Sequence, residues 1–210
     1  MVRKQAIQQK TPQEVARQLE KEIHKLIEES SILLLRDGEL FHALQKAELA
    51  TKKEKVLAEH RKSHSLPIQQ GQRLSFATWF HLAKVNEGNK RYEKAVETYE
   101  SMVKQKRFKD CIIQIRINMG NIFYKGEKFP QAIRMYRMAL DQTTHGEKDL
   151  RVKILRNIGN AFVKLGKLRD AILSYEGAIG TSYDTKSCFN LISCYVKLGD
   201  DEKSKQTLLE

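Results

Sequence analysis

The sequence predicts an all-α fold, a superhelical solenoid of antiparallel helix pairs, from three observations. One pattern is stated four times: NMGNIFYKGEKFPQAIRMYRMAL from Asn118, NIGNAFVKLGKLRDAILSYEGAI from Asn157, NLISCYVKLGD from Asn190, and a looser WFHLAKVNEGNKRYEKAVETYESMV from Trp79. The aligned alanines Ala95, Ala132 and Ala171 are spaced by 37 and 39 residues, the mark of a repeat unit of about 34 residues with loop insertions. The composition is that of helices: three prolines and eleven glycines in 210 residues, in a background of Ala, Leu, Ile, Glu, Lys, Arg and Gln. Within each segment apolar residues recur at spacings of three and four, the helical period.

The first helix is expected to start at Thr11. Thr11-Pro12-Gln13-Glu14 is a capping box with proline in the first turn, and Val15, Leu19, Ile23, Leu26 and Ile27 follow as one apolar stripe. Arg36-Asp37-Gly38 reads as a stop and turn. A second helix carries Leu40, Phe41, Ala43, Leu44, Ala47, Ala50, Val56 and Leu57, so residues 1–62 form a helical hairpin, a diverged repeat. Residues 63–75, polar and broken by Pro67 and Gly71, read as a linker. Residues 76–210 hold three full units and a truncated fourth. The loop Thr143–Asp149 is the larger insertion, and Asp149 is placed to cap the next helix. The last copy stops inside its second helix, at Leu208-Leu209-Glu210, and a bare solenoid end exposes apolar surface, so the sequence reads as cut from something longer.

Each unit pairs small with large residues. The first helix of a pair offers Gly120 or Gly159, where a side chain would hold a neighbour off; the second supplies Ala132-Tyr136-Ala139 or Ala171-Tyr175-Ala178. Aromatic knobs such as Phe123 and Tyr136 are expected to pack against these small positions.

No enzyme signature is present. Gly159 and Gly166-Lys167 do not have phosphate-loop spacing, and neither nucleophile-elbow, zinc-protease nor dinucleotide patterns occur. Cys111, Cys188 and Cys194 are too few for a disulfide framework and lack metal-ligand spacing; they read as buried thiols in a reducing cytoplasm. His60 and His64, one helical turn apart, lack a third ligand, so neither metal nor cofactor is expected. No apolar run reaches the length of a membrane span, and no secretory signal opens the sequence. A net charge of +12 favours an acidic partner surface, nucleic acid or anionic lipid, in that order, and charge alone does not choose among them.

The binding residues are sought on the first helices of the pairs, whose faces line the concave side of such a solenoid. In register these are Gln114, Ile117, Asn121, Tyr124 and Lys125, then Lys153, Arg156, Asn160 and Lys164, then Lys186, Phe189, Ser193 and Lys197. The set is basic with aromatics between, suited to an acidic extended or helical segment. Lys125, Lys164 and Lys197 share one repeat position where lysine also serves as an ordinary solvated helix former.

The glycine, aromatic and alanine positions over residues 76–210 resemble the tetratricopeptide repeat (TPR), which implies a right-handed superhelix. No copy has that repeat's closing proline, and Asn86 replaces the first unit's aromatic. A narrower resemblance rests on Tyr136–Gln142 with Asn118–Ile122, on Leu19–Glu22 with Leu26–Ser30, and on Lys52–Leu57. These stretches resemble the intraflagellar transport protein eighty-eight family, long TPR subunits of the ciliary B complex. The resemblance implies a non-enzymatic scaffold for cilium assembly, located in the cilium or flagellum, basal body and cytoplasm. Its partners would be other B-complex subunits, intraflagellar transport protein fifty-two among them. A rival TPR class, the chaperone adaptor, clamps an acidic C-terminal peptide; Arg156, Asn160 and Asn190 fit part of its pattern. Nucleic acid is the third class, on the cluster Lys104, Lys106, Arg107 and Lys109, though basic residues at a helix end also suit the helix dipole.

Overall fold

The computed structural model describes residues 10–36, 38–67 and 69–209, and all regular structure among them is helical. In chain order the helices are α1 (Pro12–Leu34), α2 (Leu40–Ser63), α3 (Gln69–Gly88), α4 (Tyr92–Val103), a 3-10 turn (Lys106–Cys111), α5 (Ile112–Lys125), α6 (Phe129–Leu140), α7 (Lys148–Lys164), α8 (Leu168–Thr181), α9 (Thr185–Leu198) and α10 (Asp201–Leu209). Each packs on the next as an antiparallel hairpin or a hairpin stack within two compact units, one ending at Phe108 and one starting at Lys109. The fold is the all-α solenoid of TPR helix pairs that the repeats predict. The division falls later than expected, because α3 and α4 group with the N-terminal hairpin. The linker expected over 63–75 is also shorter: α2 reaches Ser63 and α3 begins at Gln69. The polar run continues as helix because Leu74 and Ser75 are buried, Leu74 in a cluster with Ile23, Ala50 and Leu57. Asp37 of the expected stop lies outside the described residues; next to it, Gly38 takes φ +82°, a left-handed conformation that suits glycine.

In the first unit the capping box forms as written. Thr11 Oγ1 accepts from the Glu14 amide at 3.3 Å, and Glu14 Oε2 accepts from the Thr11 amide at 2.7 Å, satisfying two of the free donors of a helix start. Buried Ala43, Ala47 and Ala50 give α2 a low ridge for close approach of its neighbours. Ser30 of α1 donates to the Ala43 carbonyl at 2.7 Å and faces His81 Nε2 of α3 at 2.8 Å, so one hydroxyl ties three helices.

The second unit is built on a repeated device. Tyr136 and Tyr175 are almost fully buried, among the largest residues of a core that includes Ala132, Ala139, Ile154, Ala161 and Ala171. Each ring lies flat against a glycine of the preceding helix. A Cβ built at Gly159 would sit 2.5 Å from Cε1 of Tyr175, and one at Gly120 would strike the same atom of Tyr136. The hydroxyls do not go unpaired. Tyr136 donates to Asn121 Oδ1 and Tyr175 to Asn160 Oδ1, both at 2.8 Å. The interval from asparagine to tyrosine is 15 residues each time. Burying such a ring is worth about 2–3 kcal/mol, and the bond adds about 1 kcal/mol.

The first unit shows the device without its polar half. Tyr99 is wholly buried, but Lys84 stands where the asparagine would be, Ala83 replaces the glycine, and the Tyr99 hydroxyl has no hydrogen-bond partner. Burial pushes all three phenols far above their ordinary value. Asp149 departs from expectation: α7 starts at Lys148, so Asp149 lies within the first turn and does not cap it. Instead Glu147 accepts from the Thr144 amide at 2.9 Å, closing the loop on itself.

Candidate partner-binding face

The expected binding residues fall into two groups once their contacts are known. One group is engaged inside the protein. Asn160 Oδ1 accepts from the Tyr175 hydroxyl at 2.8 Å and from Asn190 Nδ2 at 3.0 Å, so it joins α7, α8 and α9. Asn121 is similarly bound to Tyr136. Arg156 Nη1 lies 2.7 Å and 2.8 Å from the two carboxylate oxygens of Asp184, and both side chains are about four-fifths buried. Asp184 in turn caps α9, accepting from the Ser187 amide at 3.0 Å. Burial works to raise the Asp184 carboxyl, but the Ser187 and Arg156 hydrogen bonds and the guanidinium charge outweigh it and hold the carboxyl below its usual range. Ile117 packs on the core, and Tyr124 meets Phe129 edge-on with ring centroids 5.4 Å apart.

The second group faces solvent. Gln114, Lys125, Lys153, Lys164, Lys186 and Lys197 are exposed, and Phe189 is 72% exposed. Phe189 borders a groove of about 720 Å³ between α8, α9 and α10, floored by Ile192 and Tyr195 and edged by Tyr183, Lys203 and Leu208. The face can therefore present positive charge at the ends of α5, α7 and α9 and one large apolar side chain. Its asparagines and arginine hold the helices in place.

That division bears on the peptide-clamp reading, whose three residues Arg156, Asn160 and Asn190 are all bonded to one another's helices or to Asp184. The basic cluster considered for nucleic acid loses Arg107 in the same way, for Arg107 Nη1 is held at 2.9 Å by Glu54. Among the described residues no group of three His, Cys, Asp or Glu is placed to hold a metal ion, and no helix is long and apolar enough to cross a membrane.

One site escaped sequence reasoning altogether. Glu54 of α2 is 1% exposed, and its carboxylate accepts from Ser75, from Trp79 Nε1 at 2.8 Å and from Arg107 Nη1. The signal was available in the period of α2: Ala43, Ala47, Ala50, Glu54, Leu57 and Arg61 form one buried stripe that includes two charges.

Comparison with known proteins agrees with this architecture. Residues 76–107, α3 through α4 and into the 3-10 turn, match the family model of the tetratricopeptide repeat. The human intraflagellar transport protein 88 homolog is 40% identical over 196 residues, which are 93% of this chain and 24% of that protein. The chain is a homologue of a segment of intraflagellar transport protein 88. It spans about a quarter of the length of that relative. Solved structures with the same fold include MamA 41-end from Desulfovibrio magneticus RS-1, with a TM-score of 0.63 at 13% identity, covering 91% of this chain and 92% of that one. A putative kinesin light chain from Podospora anserina with nearly identical TPR-like repeats superposes with a TM-score of 0.58 at 13% identity, covering 95% and 94%. BtubC from P. vanneervenii gives 0.55 at 18%, covering 91% and 87%.

Proposed function

We propose that this chain acts as a non-enzymatic TPR scaffold in the intraflagellar transport B complex, binding partner subunits for cilium assembly and ciliary transport. The observation that carries the reading is the 40% identity to intraflagellar transport protein 88 along almost the whole chain. The site of action is then the cilium or flagellum and basal body, with cytoplasm as the place of assembly. Partners are other B-complex subunits, intraflagellar transport protein 52 among them.

The contact face we assign is the solvent-facing half of the expected set: Lys125, Lys153, Lys164, Lys186, Lys197 and Phe189. Five cations around an aromatic suit an acidic segment with one apolar anchor, and charge of this kind speeds encounter and sets orientation. Arg156, Asn121 and Asn160 serve the face by holding its helices in register.

The test is recovery of B-complex subunits from a ciliated-cell lysate by the purified chain and by a Lys153→Glu/Lys164→Glu/Lys197→Glu variant. All three lysines are exposed, so the variant should fold. Recovery of transport protein 52 by the parent alone, weakening as salt rises, is the expected result. Equal recovery by both would move the interface off this face, and recovery by neither would remove the scaffold reading from this segment. Reversing Arg156 is unsuitable, because it would set a carboxylate beside Asp184 and unfold the cap of α9.

A further inference from the structure

Thr11-Pro12 is the one place in the sequence where a hydroxyl residue precedes a proline; Pro67 follows Leu66 and Pro130 follows Phe129. Residues Lys10–Glu14 are all exposed, and Thr11 takes φ −66° and ψ 154°, extended backbone just ahead of α1. Proline favours that conformation, because its ring crowds the helical region of the residue before it. Many other hydroxyls are withdrawn. Thr51 and Thr78 are buried, and Ser31, Thr98, Ser174 and Thr181 each donate to the carbonyl one turn back in their own helix. The ties at Thr11 are lighter. Its Oγ1 accepts from the Glu14 amide at 3.3 Å and donates to Glu14 Oε2 at 3.0 Å, and His60 Nε2 reaches the Pro12 carbonyl at 2.9 Å. Helix ends held by so few bonds open at little cost in free energy.

We propose that Thr11 is a phosphoacceptor for a proline-directed protein kinase, and that the capping box of α1 is the switch this modification resets. Such a kinase takes its substrate extended. It seats the residue after the acceptor where an amide N–H would find no partner, and proline fits because it has none. In the transfer, Thr11 Oγ1 bonds to the γ-phosphorus of ATP and the bond from that phosphorus to the bridging oxygen breaks. ADP leaves, and the hydroxyl proton passes to the kinase's base. The product carries about −1.5 to −2 charge, where Oγ1 stands 3.0 Å from the Glu14 carboxylate. Two anions cannot share that place. Glu14 therefore gives up its bonds to Thr11, and the phosphate becomes the acceptor for the free amides of the first turn. Lys10 and Arg17, whose charges already act on Glu14, are drawn to it as well.

The test is labelling of the full chain by ATP and a kinase of the mitogen-activated class, read by mass spectrometry, beside a peptide of residues 7–18 as the fully open reference. One phosphate at Thr11 is expected, at a rate within about tenfold of the peptide's. Thr11→Ala should abolish it. Pro12→Ala keeps the capping hydroxyl and the helix start, and should slow transfer by about tenfold, the effect of one amide left unpaired in the kinase. In the phosphorylated chain the Glu14 carboxyl, held below its usual range by its bonds to Thr11 in the parent, should titrate at higher pH by NMR. No label on chain or peptide, label on the peptide alone, label at another residue, or a Pro12→Ala rate equal to the parent's overturns the acceptor assignment. A Glu14 titration unmoved by the phosphate overturns the switch.

Discussion

Replacing Gly159 with alanine sets helix propensity against packing, and the geometry decides the sign. In an isolated helix the change would stabilise by about 1 kcal/mol. Here the new Cβ would stand 2.5 Å from Cε1 and 2.8 Å from Cδ1 and Cζ of Tyr175, in the interior of the second unit. Ordinary carbon contacts need about 3.5–4.0 Å, so the ring must withdraw by about 1 Å. Overpacking of that kind costs about 1–3 kcal/mol, and withdrawal stretches the 2.8 Å bond to Asn160, worth about 1 kcal/mol more. The balance is a loss of about 1–3 kcal/mol, and at about 4–8 °C per kcal/mol for a unit of this size the melting midpoint falls by on the order of 10 °C. Thermal melts followed by circular dichroism would compare Gly159→Ala with Gly177→Ala on α8. A Cβ at Gly177 meets Leu155 no closer than 3.9 Å, so that variant should gain about 0.5–1 kcal/mol. A Gly159→Ala midpoint at or above the parent's would refute the packing argument.

Two further predictions concern pH, and in both stability is lost as pH falls, at Asp184 because a favourable ion pair is titrated and at His81 because a buried neutral ring must charge. Asp184 has its carboxyl held down in the folded state, so its contribution is present above the unfolded value of 3.8 and is lost as pH falls through the folded one. Asp184→Asn should cost about 1–2 kcal/mol near neutral pH, measured by urea midpoints, with the gap to the parent narrowing as pH falls below 3.8; a gap constant with pH would mean the ion pair with Arg156 contributes nothing. His81 is pushed below 6.5 by burial, so the folded state favours the neutral ring and stability is lost as pH falls from about 6.5 towards the folded value. Replacing it by glutamine, which can still donate to Ser30, should flatten that limb of the profile; an unchanged acid limb would assign the loss to other groups.

What the sequence made legible was local or periodic. Thr11 and Glu14 are three residues apart, and their capping box is legible in the sequence itself. Gly120 and Gly159 stood out because they recur at one repeat position beside tyrosines that recur at another. The binding face was half legible, since helical spacing places Asn121, Arg156 and Asn160 on the same side as Lys164 but cannot say that they are already satisfied. The constant 15-residue step from asparagine to tyrosine was the missed clue. Asp184 belongs to a short loop, and nothing in its neighbours names Arg156, 28 residues earlier, as its partner. Glu54 and Arg107 are 53 residues apart, and only the stacking of α2, α3 and the 3-10 turn makes them one ion pair. The linker was read too long for a related reason: polarity and Gly71 suggested a break through residue 75, while Leu74 and Ser75 had a buried surface to extend the helix onto.

The loop between α6 and α7 closes on itself. Thr144 and Glu147 bond to each other, and Arg151 of α7 reaches back to Thr143 Oγ1 at 2.8 Å, so the anchor of the loop lies at its base. His145 and Gly146 at the tip are exposed, and the tyrosine–asparagine pair of each neighbouring hairpin is completed without them. The tip is therefore a natural splice point. A fluorescent protein or an epitope introduced between His145 and Gly146 would travel with the chain and leave both aromatic locks, and the lysine face beside them, as they are.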